Sequence, residues 1–68
     1  MKAWRIENRK TRNYTETTLF INIRREILNS LGNIVNEEVL ERVKKMDEGE
    51  SITISEFVIK CFSVDKLK

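Results

Sequence analysis

The sequence predicts an α+β fold in which an N-terminal strand or hairpin is followed by two to three short helices. Three observations carry that expectation. From Thr17 to Arg24 apolar and polar residues alternate with a period of two. Beyond Arg24 the apolar residues Ile27, Leu28 and Leu31 take up helical spacing. Asn36, Glu37 and Glu38, followed by Val39, Leu40, Val43 and Met46, then supply the N-cap, the acidic first turn and the apolar stripe of a second helix.

The chain has no proline and no internal repeat, so element boundaries come from changes of period. In "AWRIE", Trp4 and Ile6 fall on one side of a possible short strand, and the polar, basic stretch "NRKTRNYTE" after it reads as a loop or arm. Residues 1–16 are therefore expected to form a basic arm or short strand, and residues 17–68 a single small domain of a strand plus helices. In the next element Leu19, Ile21 and Ile23 point one way and Thr18, Phe20, Asn22 and Arg24 the other. Threonine and β-branched residues favour a strand there. Gly32 and Asn33 form a helix stop. Against that stop, Ile27, Leu31, Val35, Val39 and Val43 recur every four residues, so one long helix from Arg25 to Asp47 is the competing reading.

Gly49 closes the second helix. The next stretch, "ITISEFVIKCF", fits two periods: Ile52 and Ile54 alternate, while Ser55 and Glu56 look like a helix start that leads to Phe57, Val58, Cys61 and Phe62 on one face. A short extended entry and then a helix from Ser55 to Val64, with a frayed "DKLK" end, is the expected arrangement.

Composition narrows the function. A chain of 68 residues buries little surface, which makes association with a partner chain an expectation. Cys61 is the one cysteine and histidine is absent, so neither an intrachain disulfide nor a zinc site can be assembled, and no cofactor is expected. No apolar run approaches the roughly 18 to 20 residues that span a bilayer, and "MKAWRIENRK" lacks the apolar core of a signal peptide. A reducing, cytoplasmic setting without membrane contact fits these features. Without a Gly-rich phosphate loop or a nucleophile–base pair, an enzyme is not expected. Cys61, between apolar neighbours, reads as a small buried hydrophobe. Glu37, Glu38 and Glu41 are the acidic residues that a helix N-terminus selects, and the pairs Glu38–Arg42 and Glu41–Lys45 have ion-pair spacing.

The charge is unevenly placed. The first 13 residues hold Lys2, Arg5, Arg9, Lys10 and Arg12 against a lone Glu7, a basic segment of the kind that touches phosphates or simply stays solvated. Trp4 and Tyr14 are aromatic residues that could stack on bases or cover a core edge.

Two segments resemble the ribbon-helix-helix DNA-binding superfamily. "TLFINIRREILNSL", Thr18 to Leu31, is similar to the family's strand running into its first helix; "EEVLERVKKMDEGESITISEFVIKCF", Glu37 to Phe62, is similar to its first helix, turn and second-helix start. Both segments claim the first helix, and one extra helix intervenes between Leu31 and Ser55. Either register stays open. The resemblance implies a homodimeric transcriptional regulator, a repressor whose paired strands lie in the major groove of double-stranded DNA. Thr18, Phe20, Asn22 and Arg24 would then meet base edges, Asn suiting adenine and Arg guanine. Thr53 and Ser55 would hold a phosphate at the start of the last helix, with Arg5, Arg9, Lys10 and Arg12 adding further phosphate contacts. The plain alternative makes Leu19, Ile21 and Ile23 the buried face of a hairpin with "AWRIE". A different class of function is also open: a small phage- or plasmid-type protein that inhibits a host enzyme by binding it, through Phe20 and the acidic helix.

Overall fold

The computed structural model describes residues 1–64; the fraying expected for "DKLK" lies outside them. Strand β1 (Lys2–Asn8) and strand β2 (Tyr14–Thr17) form a hairpin, helix α1 (Phe20–Leu31) follows, a 3-10 turn (Gly32–Ile34) leads to helix α2 (Glu37–Lys44), and strands β3 (Ser51–Ile54) and β4 (Phe57–Ser63) form a second hairpin. The sheet is antiparallel throughout, in the order β2-β1-β4-β3. Both central strands are therefore the longest ones, and they join the two ends of the chain.

Alternation along β1 and β4 divides the sheet into two faces. Trp4, Ile6, Ile59 and Cys61 lie on the covered face and are buried with Ile23, Ile27 and Leu31 of α1, Leu40 and Val43 of α2, and Val35 and Met46. Trp4 anchors α2 to the sheet: its indole Nε1–H donates to the Val43 carbonyl at 2.8 Å. Lys2 Nζ donates to the carbonyls of Met46 at 2.7 Å and Lys44 at 3.3 Å, satisfying the end of that helix. Phe20 meets Trp4 edge to face, with ring centroids 5.6 Å apart.

The predicted strand Thr17–Arg24 is not a strand beyond Thr17. Phe20, Ile23, Ile27 and Leu31 carry a helical stripe that overlaps the period-two run, and the helical stripe is the one that covers Trp4 and Ile6. Leu19 and Ile21, which strand alternation placed with Ile23 on a buried face, are 58% and 64% exposed. Both the ribbon and the alternative hairpin through Leu19, Ile21 and Ile23 are thereby corrected, and the strand-paired homodimer loses the strand that would pair between chains. Thr17 Oγ1 accepts from the Leu19 backbone N–H at 3.1 Å, which fixes the turn that leads into the helix.

The chain does break at Gly32, whose φ of 56° is left-handed and whose N–H returns to the Leu28 carbonyl. Asn36 caps α2, its side chain accepting from the Val39 N–H at 3.0 Å. The predicted last helix is corrected to a hairpin. Ser55 and Glu56 form the turn between β3 and β4, with Ser55 at φ 55°, and "FVIKCF" alternates between the two faces because β1 pairs with it along its whole length. The expected arm is corrected too: residues 2–8 and 14–17 are sheet strands and only the tip between them is loop. Fold class is thus a four-stranded antiparallel sheet with two α-helices among the described residues, in place of a strand followed by two to three helices.

Candidate functional site

The helices cover one face of the sheet, and among the described residues no element packs over the other. Register places its side chains in rows that cross the strands from β2 to β3: Tyr14, Glu7, Val58 and Thr53 in the first, Glu16, Arg5, Lys60 and Ser51 in the second, then Ala3 and Phe62. Arg5 is the hub. Its guanidinium lies 3.4 Å from the Glu7 carboxylate and 4.0 Å from that of Glu16, and its central carbon sits 4.0 Å from the Tyr14 ring centroid. The Arg5 Nε is buried without a hydrogen-bond partner among the described residues. Tyr14 is 56% exposed, so the ring is covered by arginine on one side and open on the other.

Both hairpin turns reach the same end of this face. The Asn8 side chain organises the first, its Oδ1 accepting from the N–H of Lys10 at 2.9 Å and of Thr11 at 3.2 Å, while the Arg12 N–H donates to the Asn8 carbonyl at 2.8 Å. Arg12 takes φ 68° there. The Arg9 N–H donates to the Glu56 carbonyl at 2.8 Å, which ties the first turn to the second. Arg9 and Lys10 consequently line one shallow concavity with Ser55 and Glu56, and Arg9 and Arg12 line another with Glu7, Val58 and Lys60. Among the described residues the ion pairs are Arg5–Glu7, Arg5–Glu16 and Arg24–Glu37. Arg9, Lys10, Arg12 and Lys60 have no carboxylate partner there.

The six residues predicted to touch phosphate are thus brought to one region, by a route that the sequence pattern did not foretell. Arg5 and Thr53 stand on the open face; Arg9, Lys10, Arg12 and Ser55 stand in the turns at its end. Ser55 and Thr53 do so without a helix N-terminus, since no helix starts at Ser55.

No protein-family model matches the chain, and no curated protein and no solved structure is significantly similar to it. The geometry therefore carries the functional reading unaided.

The four residues predicted to read bases are elsewhere, on the helical side, and three of them are engaged internally. Phe20 packs on Trp4, Asn22 Nδ2 donates to Thr17 Oγ1 at 3.3 Å, and Arg24 Nη2 donates to Glu37 Oε1 at 3.1 Å, pinning α1 to α2. Thr18 is exposed in the bend before α1. Of the two aromatic residues that could stack on bases, Trp4 is buried, whereas Tyr14 is free to stack.

Reasoning from sequence missed Lys60, Glu16, Val58 and Phe62 as members of this surface. The signal was the second period in "FVIKCF": read as a strand, it sets Val58, Lys60 and Phe62 opposite Ile59 and Cys61. Cys61 itself faces the core, with its Sγ donating to the Met46 carbonyl at 3.5 Å. Burial pushes its thiol above the ordinary 9.0, opposed by Lys2 and reinforced by Glu48, Asp47 and Glu50, so it is not a thiolate nucleophile at neutral pH. Among the described residues no group of His, Cys, Asp and Glu is placed to hold a metal, and no helix is long and apolar enough to cross a membrane.

Proposed function

We propose that this protein binds nucleic acid through the open sheet face and the two hairpin turns at its end, as a small regulatory protein of the cytoplasm without chemistry of its own. The observation that carries this reading is the assembly of Arg9, Lys10, Arg12 and Lys60 beside one another with no carboxylate partner among the described residues. Cations left unpaired in a compact domain keep their full attraction for phosphates, and each phosphate neutralised releases counterions. Glu7 and Glu16 on the face pair with Arg5, and Glu56 lines the concavity of Arg9 and Lys10 without an ion pair among the described residues. Arg5, Arg9, Lys10, Arg12 and Lys60 outnumber the carboxylates Glu7, Glu16 and Glu56, so the region stays net positive.

The test is the salt dependence of binding. A plot of log affinity against log salt for a fluorescent oligonucleotide has a slope of about −0.7 to −0.9 per phosphate contacted. Alanine at Arg9, Arg12 or Lys60 is expected to flatten that slope by about one contact each and to weaken all sequences alike. A wild-type protein with no measurable affinity at low salt overturns the reading.

A second reading, an inhibitor that docks on another protein, is favoured by a separate observation: Leu19 and Ile21 expose apolar side chains at the start of α1, on the helical side. Capture of one stoichiometric protein partner that is lost on Ile21→Ser, combined with negligible nucleic-acid affinity, selects it over the first.

A further inference from the structure

We infer that the ligand of the open face is single-stranded RNA, with one base stacked on the outer side of Tyr14 and the flanking phosphates carried to Arg12, Arg9 and Lys60. This inference rests on the nucleic-acid reading and adds to it the strandedness and the sugar.

Shape is the first argument. Neighbouring strands stand about 4.8 Å apart, so four of them present a face about 14 Å across before side chains are added. A major groove about 12 Å wide admits a helix or a two-stranded ribbon, and a face of this width meets a duplex only where the duplex is bent open at a cost. The backbone bond from Arg9 to Glu56 ties the turn ends together, so neither hairpin projects alone. Splayed bases, in contrast, need a broad platform with the backbone lying along it.

The second argument is the state of Tyr14. An exposed tyrosine ordinarily loses rotamer freedom when a base stacks on it. Here the Arg5 guanidinium already covers one side of the ring at 4.0 Å, and Arg5 is itself held by Glu7 and Glu16. Arginine, ring and incoming base form a stack whose first two layers exist before binding. Val58, one row position beyond Glu7, and Phe62 add half-buried apolar surface to the platform. Arg12, two residues before Tyr14 in the chain, adds a cation beside Glu7 and Val58 of the same row.

The sugar is set by Glu7. It neighbours Tyr14 directly in the sheet register, and one of its oxygens, Oε1, faces Arg5. Its other oxygen has no hydrogen-bond partner among the described residues. A carboxylate beside a stacking ring repels phosphate but accepts from a hydroxyl, and the ribose 2′-OH is the donor that RNA has and DNA lacks.

The experiment is fluorescence anisotropy with the full chain on a labelled RNA of about ten nucleotides, its DNA counterpart, the RNA and DNA duplexes of the same sequence, and polyglutamate. The single-stranded RNA is expected to bind tightest. Tyr14→Ala and Tyr14→Thr, the latter well suited to an edge strand, are expected to weaken it by about tenfold or more while leaving duplex affinity unchanged, and Tyr14→Phe to retain it. Glu7→Gln is expected to narrow the preference for RNA over DNA. Duplexes bound as tightly as single strands, with Tyr14→Thr neutral, overturn the platform while the phosphate reading survives. Single-stranded DNA bound as tightly as RNA overturns the ribose contact. Polyglutamate bound in place of RNA, or no nucleic acid bound at all, overturns this inference and the reading beneath it together.

Discussion

The two faces of the sheet are built by the same two strands and obey different rules. On the covered face β1 and β4 contribute Trp4, Ile6, Ile59 and Cys61, all buried beneath the helices. One position along, the same strands contribute Arg5, Glu7, Val58, Lys60 and Phe62 to a face over which no layer lies among the described residues. The covered side satisfies its polar groups internally, down to the indole N–H of Trp4. The open side and the turns at its end keep four cations without a carboxylate partner among the described residues, beside a tyrosine whose ring only Arg5 backs. A small domain could have closed that face with apolar residues and gained stability; this face instead carries charge and an arginine-backed tyrosine.

Adjacent residues of β4 provide the sharpest contrast. Ile59 is fully buried at the centre of the core, so Ile59→Ala removes buried methyl groups and their packing contacts, and urea unfolding is expected to register a loss of about 2–5 kcal/mol. Lys60 is exposed on the other face. Lys60→Ala is expected to stay within about 0.5 kcal/mol of the parent in the same assay, while weakening nucleic acid and flattening its salt slope. Equal stability losses at the two positions would mean that the open face is covered in solution, and the comparison would fail.

That contrast also explains what the sequence made legible. The strand at Trp4 and Ile6, the stop at Gly32 and the Asn36 cap arise from local chemistry and are present in the fold. The errors lie where two periods share the same residues. Leu19, Ile21 and Ile23 alternate, but Phe20, Ile23, Ile27 and Leu31 form a helical face, and only tertiary packing against Trp4 decides between them. In "ISEFVIKCF" the balance tips the other way, because a central strand is available in β1 for β4 to pair with. Nothing local reveals a partner at the far end of the chain. The cations Arg5, Arg9, Lys10 and Arg12 were legible as a cluster in the first segment, but that Lys60 stands beside them depended on the sheet order. The strand on which Phe20, Asn22 and Arg24 were placed is helix α1 instead.

The covered face has a titration of its own. Burial raises the Cys61 thiol above 9.0, so folding favours its neutral form. A group whose folded value is raised contributes stability that is fully present below its unfolded value and is lost as pH climbs through the folded one. The stability of the parent is therefore expected to fall above about pH 9, and that of Cys61→Ala to fall less, the difference isolating the thiol from lysine and tyrosine titrations. Urea midpoints across the alkaline range provide the measurement. Identical alkaline slopes in the two proteins would place the thiol in water and contradict its burial under the helices.

The smallest expected effect bears on the helical side. Arg24 joins α1 to α2 through Glu37 at 3.1 Å, but both side chains are largely in solvent, where an ion pair contributes about 0–1 kcal/mol. Arg24→Ala is expected to lower stability by no more than that and to leave nucleic-acid affinity and its salt slope unchanged, in contrast to Arg12→Ala. The pair of variants separates two surfaces that a count of arginines cannot. If Arg24→Ala weakened binding as much as Arg12→Ala, the ligand would have to reach around the helices, and a platform confined to the open face could not account for it. If only Arg12→Ala does so, the helical layer is scaffold at this position, and the exposed Leu19 and Ile21 beside it remain available to a protein partner that need not compete with the nucleic acid.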